Sequence, residues 1–365
     1  MVTMKVGTDK NNPDVEVTIS AAKFNRHTFW CGQSGSGKTY ALGVILEQLI
    51  LNTELPLLIL DPNADFTRLQ DIRDGADPDV ARKISESDIR VLHSTNHNRE
   101  QLRTRFLALS LAAKAAVLQI DPIADADEYN VLLHADTDAV AGFDERSFLA
   151  ALRASDDPGK QRLATRIENL QVLDWDLWSR GAVPATDIVA SRPRATVLDL
   201  GGFPHAAEPK VAALSVLEQL WAQREERRPI LIVIDEAHNI CPLVATSAVE
   251  KALIDQLVQI AAEGRKFGLW LLLSTQRPTK IHPNVLSQCD NLCLMRMNAP
   301  RDLAELADVF GFVPEHMLAA SPEFRQGQAL FAGGFINAPT LTQMGARITE
   351  EGGADVQVPL PAAVG

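Results

Sequence analysis

Gly32-Gln33-Ser34-Gly35-Ser36-Gly37-Lys38-Thr39 is the stretch around which the rest of the chain is organised. It follows the apolar run Phe29-Trp30-Cys31 and leads into Tyr40-Ala41-Leu42-Gly43-Val44-Ile45-Leu46, whose apolar spacing is helical. Strand, glycine-rich turn and helix in this order make the phosphate-binding loop G-x-x-x-x-G-K-T. The residue types follow from the chemistry. Glycines let the backbone turn tightly, so that several N–H groups converge on phosphate oxygens at a helix N-terminus. Lys38 is placed to reach the β- and γ-phosphates, and the Thr39 hydroxyl to ligate Mg²⁺. A Gly/Ser-rich turn alone is common; the strand, the Lys-Thr pair and the helix in register carry the expectation of a nucleoside triphosphate site.

A second apolar run, Leu231-Ile232-Val233-Ile234, ends in Asp235-Glu236-Ala237-His238. A buried strand that delivers two adjacent acids is the Walker B pattern. Asp235 is expected in the Mg²⁺ shell, and Glu236 as the general base that polarises the attacking water. Acids here could instead cap the next helix; the phosphate loop upstream favours the catalytic assignment. Glu rather than a neutral residue beside Asp235 suggests steady hydrolysis that drives work. His238 stays open between coupling nucleotide state to nearby loops and a structural role.

Two further segments carry candidates. Leu271-Leu272-Leu273-Ser274-Thr275-Gln276-Arg277-Pro278 ends an apolar strand with polar residues. Gln276 is expected to face the γ-phosphate or attacking water as a sensor, the alternative being a plain polar strand end. Glu263-Gly264-Arg265-Lys266-Phe267-Gly268 presents two cations on a turn. Arg265 is therefore a candidate finger completing a neighbouring subunit's site. A solvated basic turn and a phosphate-facing DNA contact are the other readings. Asp61 closes Leu57-Leu58-Ile59-Leu60, at the strand end where ligands bind in open α/β sheets. It is either a supporting acid or a turn residue.

Strands alternate with helices on both sides of a long middle segment, which predicts a doubly wound α/β fold with a mainly parallel sheet. Residues 1–25 read as a short strand segment, 26–62 and 195–348 as the core, 63–194 as a mostly helical insertion, and 349–365 as a flexible tail. Within the insertion, Ile89–Leu92 and Leu102–Leu107 are strand candidates, and Gln161–Trp178 is a helix candidate.

Composition narrows the partners. No apolar run approaches the roughly 20 residues that span a bilayer, so no membrane partner and a cytoplasmic location are expected. Four cysteines in 365 residues do not suggest a disulfide framework. A net charge of −12 argues against a basic DNA-coating protein, but leaves room for a ring with a locally positive channel. Only 2 tyrosines and 5% aromatics favour tracking of a nucleic-acid backbone over base stacking.

As a set, G-Q-S-G-S-G-K-T (32–39), L-D-P-N-A-D-F (60–66), V-I-D-E-A-H (233–238), E-G-R-K-F-G-L (263–269), S-T-Q-R-P (274–278) and V-L-S-Q-C-D-N (285–291) resemble the HerA/FtsK branch of RecA-like ring motors, and the HerA type most closely. The resemblance implies a RecA-like core and a homo-oligomeric, hexameric ring that hydrolyses ATP between subunits and moves double-stranded DNA through its pore. It implies a nuclease or other effector partner, in DNA end processing or antiviral defence; a ring that scaffolds or gates an effector with little translocation is the alternative. Carried over by position, Lys38 and Thr39 bind phosphate and Mg²⁺, Asp61 is a supporting acid, Asp235 and Glu236 are the Walker B pair, Gln276 is the sensor and Arg265 acts in trans. The chain departs from the pattern at Asn63, at Asp65 in place of Glu, and in having only residues 1–25 where an N-terminal β-barrel is usual.

Overall fold

Runs such as Leu57–Asp61 and Ile230–Ile234 are buried at every position, as strands covered on both faces must be. The computed structural model describes residues 2–95, 98–135 and 145–353. In chain order these form β1 (Thr3–Asp9), β2 (Glu16–Ser20), β3 (His27–Cys31), α1 (Lys38–Asn52), β4 (Leu57–Asp61), α2 (Pro78–Ser85) and β5 (Ile89–Leu92). Next come α3 (Leu111–Val117), α4 (Ala126–Leu133), α5 (Glu145–Arg153), α6 (Pro158–Leu170), α7 (Ala185–Ala190), β6 (Ala195–Asp199), α8 (Glu208–Ala222) and β7 (Ile230–Ile234). The last part holds α9 (Ala248–Glu263), β8 (Leu269–Thr275), α10 (Pro283–Leu286), β9 (Cys289–Leu294), α11 (Pro300–Val309), α12 (Glu315–Ala319), β10 (Gln328–Gly333) and β11 (Thr340–Met344).

The strands make one 11-stranded sheet, in the order β2-β1-β11-β10-β9-β3-β8-β7-β4-β6-β5. From β9 to β5 every neighbouring pair is parallel; β10, β11, β1 and β2 extend the sheet by antiparallel pairing. The strand order decides where chemistry can occur. β8 lies between β3 and β7, so the C-terminal ends of the phosphate-loop strand, the Gln276 strand and the Walker B strand are adjacent. Asp61, at the end of β4, is next in line beyond β7.

Alternate residues feed two cores. Trp30, Leu57, Ile59, Leu231, Val233 and Leu272 pack with α1 on one face. Phe29, Leu58, Leu60, Ile232, Leu271 and Leu273 pack with α8 and α9 on the other. Phe106, Leu163 and Trp178 belong to this second core, so the 63–194 segment shares its apolar interior with the sheet. The segment also supplies β5, which closes one edge. Among the described residues, no helix is long and apolar enough to cross a membrane. The four cysteines are buried and unpaired.

Three expectations are corrected. Leu102–Leu107 is not a strand; it offers one isolated bridge at Thr104, and Phe106 enters a 3-10 turn that seats its ring against Trp178. The helix expected over Gln161–Trp178 stops at Leu170, because Gln171 takes a left-handed φ of 51° and Trp175 and Trp178 fold back into the core. The tail expected from residue 349 begins fixed: Thr349 is buried, and Glu350 and Gly352 donate backbone hydrogen bonds to Asp71 and Asp65 carbonyls. Its remainder, 354–365, lies outside the described residues.

His27 shows how the sheet is tied to its helices. Its Nδ1 accepts from the Leu271 N–H at 2.9 Å, so Nε2 carries the proton and donates to the Ala261 carbonyl at 3.0 Å. Burial holds the imidazole down at about 4. Between pH 6.5 and 4 the unfolded chain binds a proton at this position that the folded chain refuses, so acidification favours unfolding. The expected loss is up to about 3 kcal/mol over that window. Urea unfolding at pH 7 and pH 4.5 should show His27→Gln less stable at pH 7 but with a flatter acid slope than the parent chain; equal slopes would refute the assignment.

Candidate active site

The phosphate loop is held in shape from three sides. Gly37, just before α1, has φ 87°, and a Cβ there would stand 3.2 Å from the Gly327 nitrogen. An L side chain is thus disfavoured both by conformation and by space. The Gln33 N–H donates to the Arg296 carbonyl and the Gly327 N–H to the Ser36 carbonyl, each at 2.9 Å. Arg296 Nη2 donates to the Gly35 carbonyl at 3.1 Å. The first turn of α1 opens into a cleft of about 780 Å³, whose walls include Lys38, Thr39, Asp65, Gln276 and Gly352. Gln33, Ser34 and Gly35 also line it; Gly32 and Ser36 are buried beneath, with Gly32 packed against Met295.

Lys38 is the hub. Its ammonium donates to Asp235 Oδ1 at 3.0 Å and Ser274 Oγ at 2.9 Å, and lies 3.1 Å from Glu236 Oε1. Ser274 in turn donates to Asp235 Oδ1 at 2.7 Å, and Gln276 Nε2 to Glu236 Oε1 at 2.9 Å. Burial alone would lower the lysine pKa, but the Asp235 and Glu236 charges outweigh it and hold the ammonium above its ordinary value. Glu236 adopts φ 42° and ψ 50°, a left-handed conformation that costs a non-glycine residue on the order of 1 kcal/mol. Such strain persists only where surroundings enforce it, and here α1 and β8 both grip the side chain.

Asp61 is a turn residue that also stands beside the other acids. Its carboxylate accepts the Asp65 N–H at 3.0 Å and the Phe66 N–H at 2.8 Å, closing the turn after β4. It also joins Asp65 and Asp235 in a group whose oxygen atoms lie within 4.8 Å of one another. Burial, reinforced by the Asp235 charge, pushes Asp61 and Asp65 up to about 7. Asp235 Oδ2 is shielded from solvent and has no hydrogen-bond partner. Crowded carboxylate oxygens, one of them unsatisfied, fit a hard divalent cation such as Mg²⁺.

Arg265 is elsewhere. It lies in the 3-10 turn before β8, at the opposite end of that strand, about 20 Å of extended chain from Gln276. There Nη1 pairs with Asp290 at 2.6 Å. The structure therefore brings together Lys38, Thr39, Asp61, Asp235, Glu236 and Gln276, but not Arg265. His238 Nδ1 sits 3.1 Å from Thr275 Oγ1 and 3.2 Å from Glu236 Oε2, and burial lowers its pKa. Motif reading gave no role to Ser274, Arg296 or Gly327. Ser274, next to last in β8, and Arg296, two residues past β9, are the polar residues that follow apolar runs, a signal that could have flagged them; Gly327 has none, being brought in by the β10 approach.

The family model described as "Helicase HerA, central domain" matches residues 4–213. The chain belongs to this family. A second model, the ATPase family associated with various cellular activities, matches residues 210–297. This HerA-family chain is 28% identical over 131 residues to the probable DNA double-strand break repair helicase HerA of Methanocaldococcus jannaschii, covering 36% of this chain and 25% of that one. It is 31% identical over 117 residues to the DNA double-strand break repair helicase HerA of Sulfurisphaera tokodaii, covering 32% and 23%. The matched stretch thus spans about a quarter of each relative. VirB4 of Thermoanaerobacter pseudethanolicus shares the fold with TM-score 0.61 at 15% identity, over 94% of this chain and 96% of that one. The fold is accordingly α/β, of the RecA-like P-loop ATPase type.

Removing the hub should expose its role in stability. Lys38→Ala leaves Asp235 and Glu236 buried without their cation, a change expected to cost about 3 kcal/mol or more in urea unfolding. Adding Asp235→Asn to that variant should restore part of the loss. If the double variant is less stable than Lys38→Ala, the ion pair is not what sets the cost.

Proposed function

We propose that this chain is the ATP-hydrolysing unit of a hexameric ring that moves double-stranded DNA, working with a nuclease or other effector. The observation that carries the reading is the convergence of Lys38, at the start of α1, with Asp235 and Glu236 after β7 and Gln276 after β8, in one bonded cluster at the floor of the cleft that Lys38 and Gln276 line. Membership of the HerA central-domain family, and relatives named as DNA double-strand break repair helicases, support DNA as the substrate class.

Each residue then has a task set by its position. Lys38 and the N–H groups at the start of α1 bind the phosphates. An ammonium has three donors, now directed at Asp235, Glu236 and Ser274, so every phosphate oxygen Lys38 takes up releases one of these partners. Release of Glu236 frees its carboxylate to accept a proton from the attacking water. Gln276, bonded to Glu236, orients that water and registers its loss. The Thr39 hydroxyl and Asp235 would hold Mg²⁺, with Asp61 and Asp65 beside them, where the ion would supply neutralisation of charge on the phosphate oxygens. Arg265, remote from its own cleft, serves the site of the next subunit, where a guanidinium stabilises charge on the transferred phosphoryl.

Three measurements test this. ATP hydrolysis by Lys38→Ala should be abolished; full activity would overturn the site. Rings mixed from Arg265→Ala and Glu236→Gln subunits should recover activity that neither has alone, because some interfaces pair an intact Glu236 with an intact Arg265. No recovery at any ratio would remove the trans role. Duplex DNA should raise the ATPase rate of a particle whose mass corresponds to six chains. A six-membered particle indifferent to DNA would favour a ring that gates an effector, and an inactive monomer would defeat both.

A further inference from the structure

We infer that Arg347–Gly353 is a positioning strap, which clamps the acid-bearing loop after β4 to the phosphate-loop helix and so sets how tightly the cleft holds a metal–nucleotide complex. The inference rests on the proposed nucleotide site. One end of the strap is anchored in α1. Glu47, 1% exposed, accepts hydrogen bonds from the Ile348 N–H (2.9 Å), the Thr349 N–H (2.8 Å) and the Thr349 hydroxyl (2.6 Å). The Arg347 side chain is wholly buried, 3.7 Å from Glu47 and 5.6 Å from the Phe66 ring centroid. α1 makes room for it at Gly43, where a Cβ would come within 2.5 Å of Arg347 Nε. The Tyr40 hydroxyl, two residues after Lys38, accepts the Arg347 N–H at 2.7 Å.

The other end grips the loop. The Glu350 N–H donates to the Asp71 carbonyl at 2.8 Å and the Gly352 N–H to the Asp65 carbonyl at 3.0 Å, while the Arg73 N–H donates back to Ile348 at 2.9 Å. A Cβ on Gly352 would stand 1.9 Å from the Ala64 carbonyl oxygen, so only glycine permits this approach. Glu351, Gly352 and Gly353 then form part of the cleft wall beside Asp65. The loop is held from below by Asp61, which takes the Asp65 and Phe66 N–H groups, and by the buried Phe66 and Leu69 side chains, while Ala64, at φ 61°, faces the strap. Asp65 therefore reaches toward Asp235 from a peptide held on one side by Asp61, which takes its N–H, and on the other by the strap, which bonds its carbonyl. Polar groups that position metal-facing carboxylates typically change affinity by 10–100-fold when lost, which sets the scale expected here.

The test uses three altered chains that keep the Glu47 anchor: Gly352→Val, a chain ending at Glu350, and a control ending at Gly353. Binding of N-methylanthraniloyl-ATP is followed by fluorescence, with Mg²⁺ and with EDTA, alongside amide exchange of the metal-free protein. The first two chains should bind the Mg²⁺ complex roughly tenfold more weakly, bind the EDTA form unchanged, and exchange faster across residues 62–73 with α1 unaltered. If Gly352→Val does not fold, the chain ending at Glu350 decides. Unchanged Mg²⁺-dependent affinity in a chain whose loop exchange has risen would overturn the strap, as would equal weakening in the Gly353 control. An unaltered chain that binds no nucleotide would instead overturn the nucleotide reading itself.

Discussion

A buried ammonium held between two carboxylates is the constraint on which this structure turns. Lys38 comes from α1, Asp235 and Glu236 from the end of β7, and Ser274 from β8. Each carboxylate would be costly to bury alone, and so would the ammonium. Together they are tolerable, provided that β8 sits between β3 and β7 and brings all of them within about 3 Å. The same interaction makes the site responsive: a cation with all three donors engaged cannot accept a new anion without letting go of an old one.

The parallel order from β9 to β5 gives the sheet two chemically different ends. Lys38, Asp61, Asp235, Glu236 and Gln276 gather at the C-terminal ends of the strands. Arg265 stands at the N-terminal end of β8, paired with Asp290. In the proposed ring the two ends would meet only across a head-to-tail contact between copies, a kind of contact that closes into a ring when its rotation allows.

Around the cleft, long-range packing sets the fine geometry. Arg296, Gly327 and the segment after β11 all reach the phosphate loop or its acidic neighbour through backbone hydrogen bonds. None of them is near Lys38 in sequence. The 63–194 segment likewise joins the sheet through β5 and shares the core beneath α8 and α9, so its helices are tied mechanically to the elements that carry the site.

The sequence alone determined the features governed by local rules. A phosphate loop needs its glycines and its Lys-Thr pair in consecutive order, and a doubly covered strand needs an unbroken apolar run. Hence the α/β class, β3, β4, β7 and β8, and the acids at Asp235 and Glu236 were legible directly. Tertiary structure decided whatever depends on which strands become neighbours. Only the strand order shows that Gln276 bonds Glu236, that Asp65 joins Asp61 and Asp235, and that Arg265 lies at the far end of the sheet. The Gln161–Trp178 helix and the first residues of the tail, 349–353, depart from local expectation for the same reason. Packing of Trp175 and Trp178 into a distant core overrode helical spacing, and Glu47, some 300 residues upstream of Thr349, fixed a segment whose composition promised none of its order.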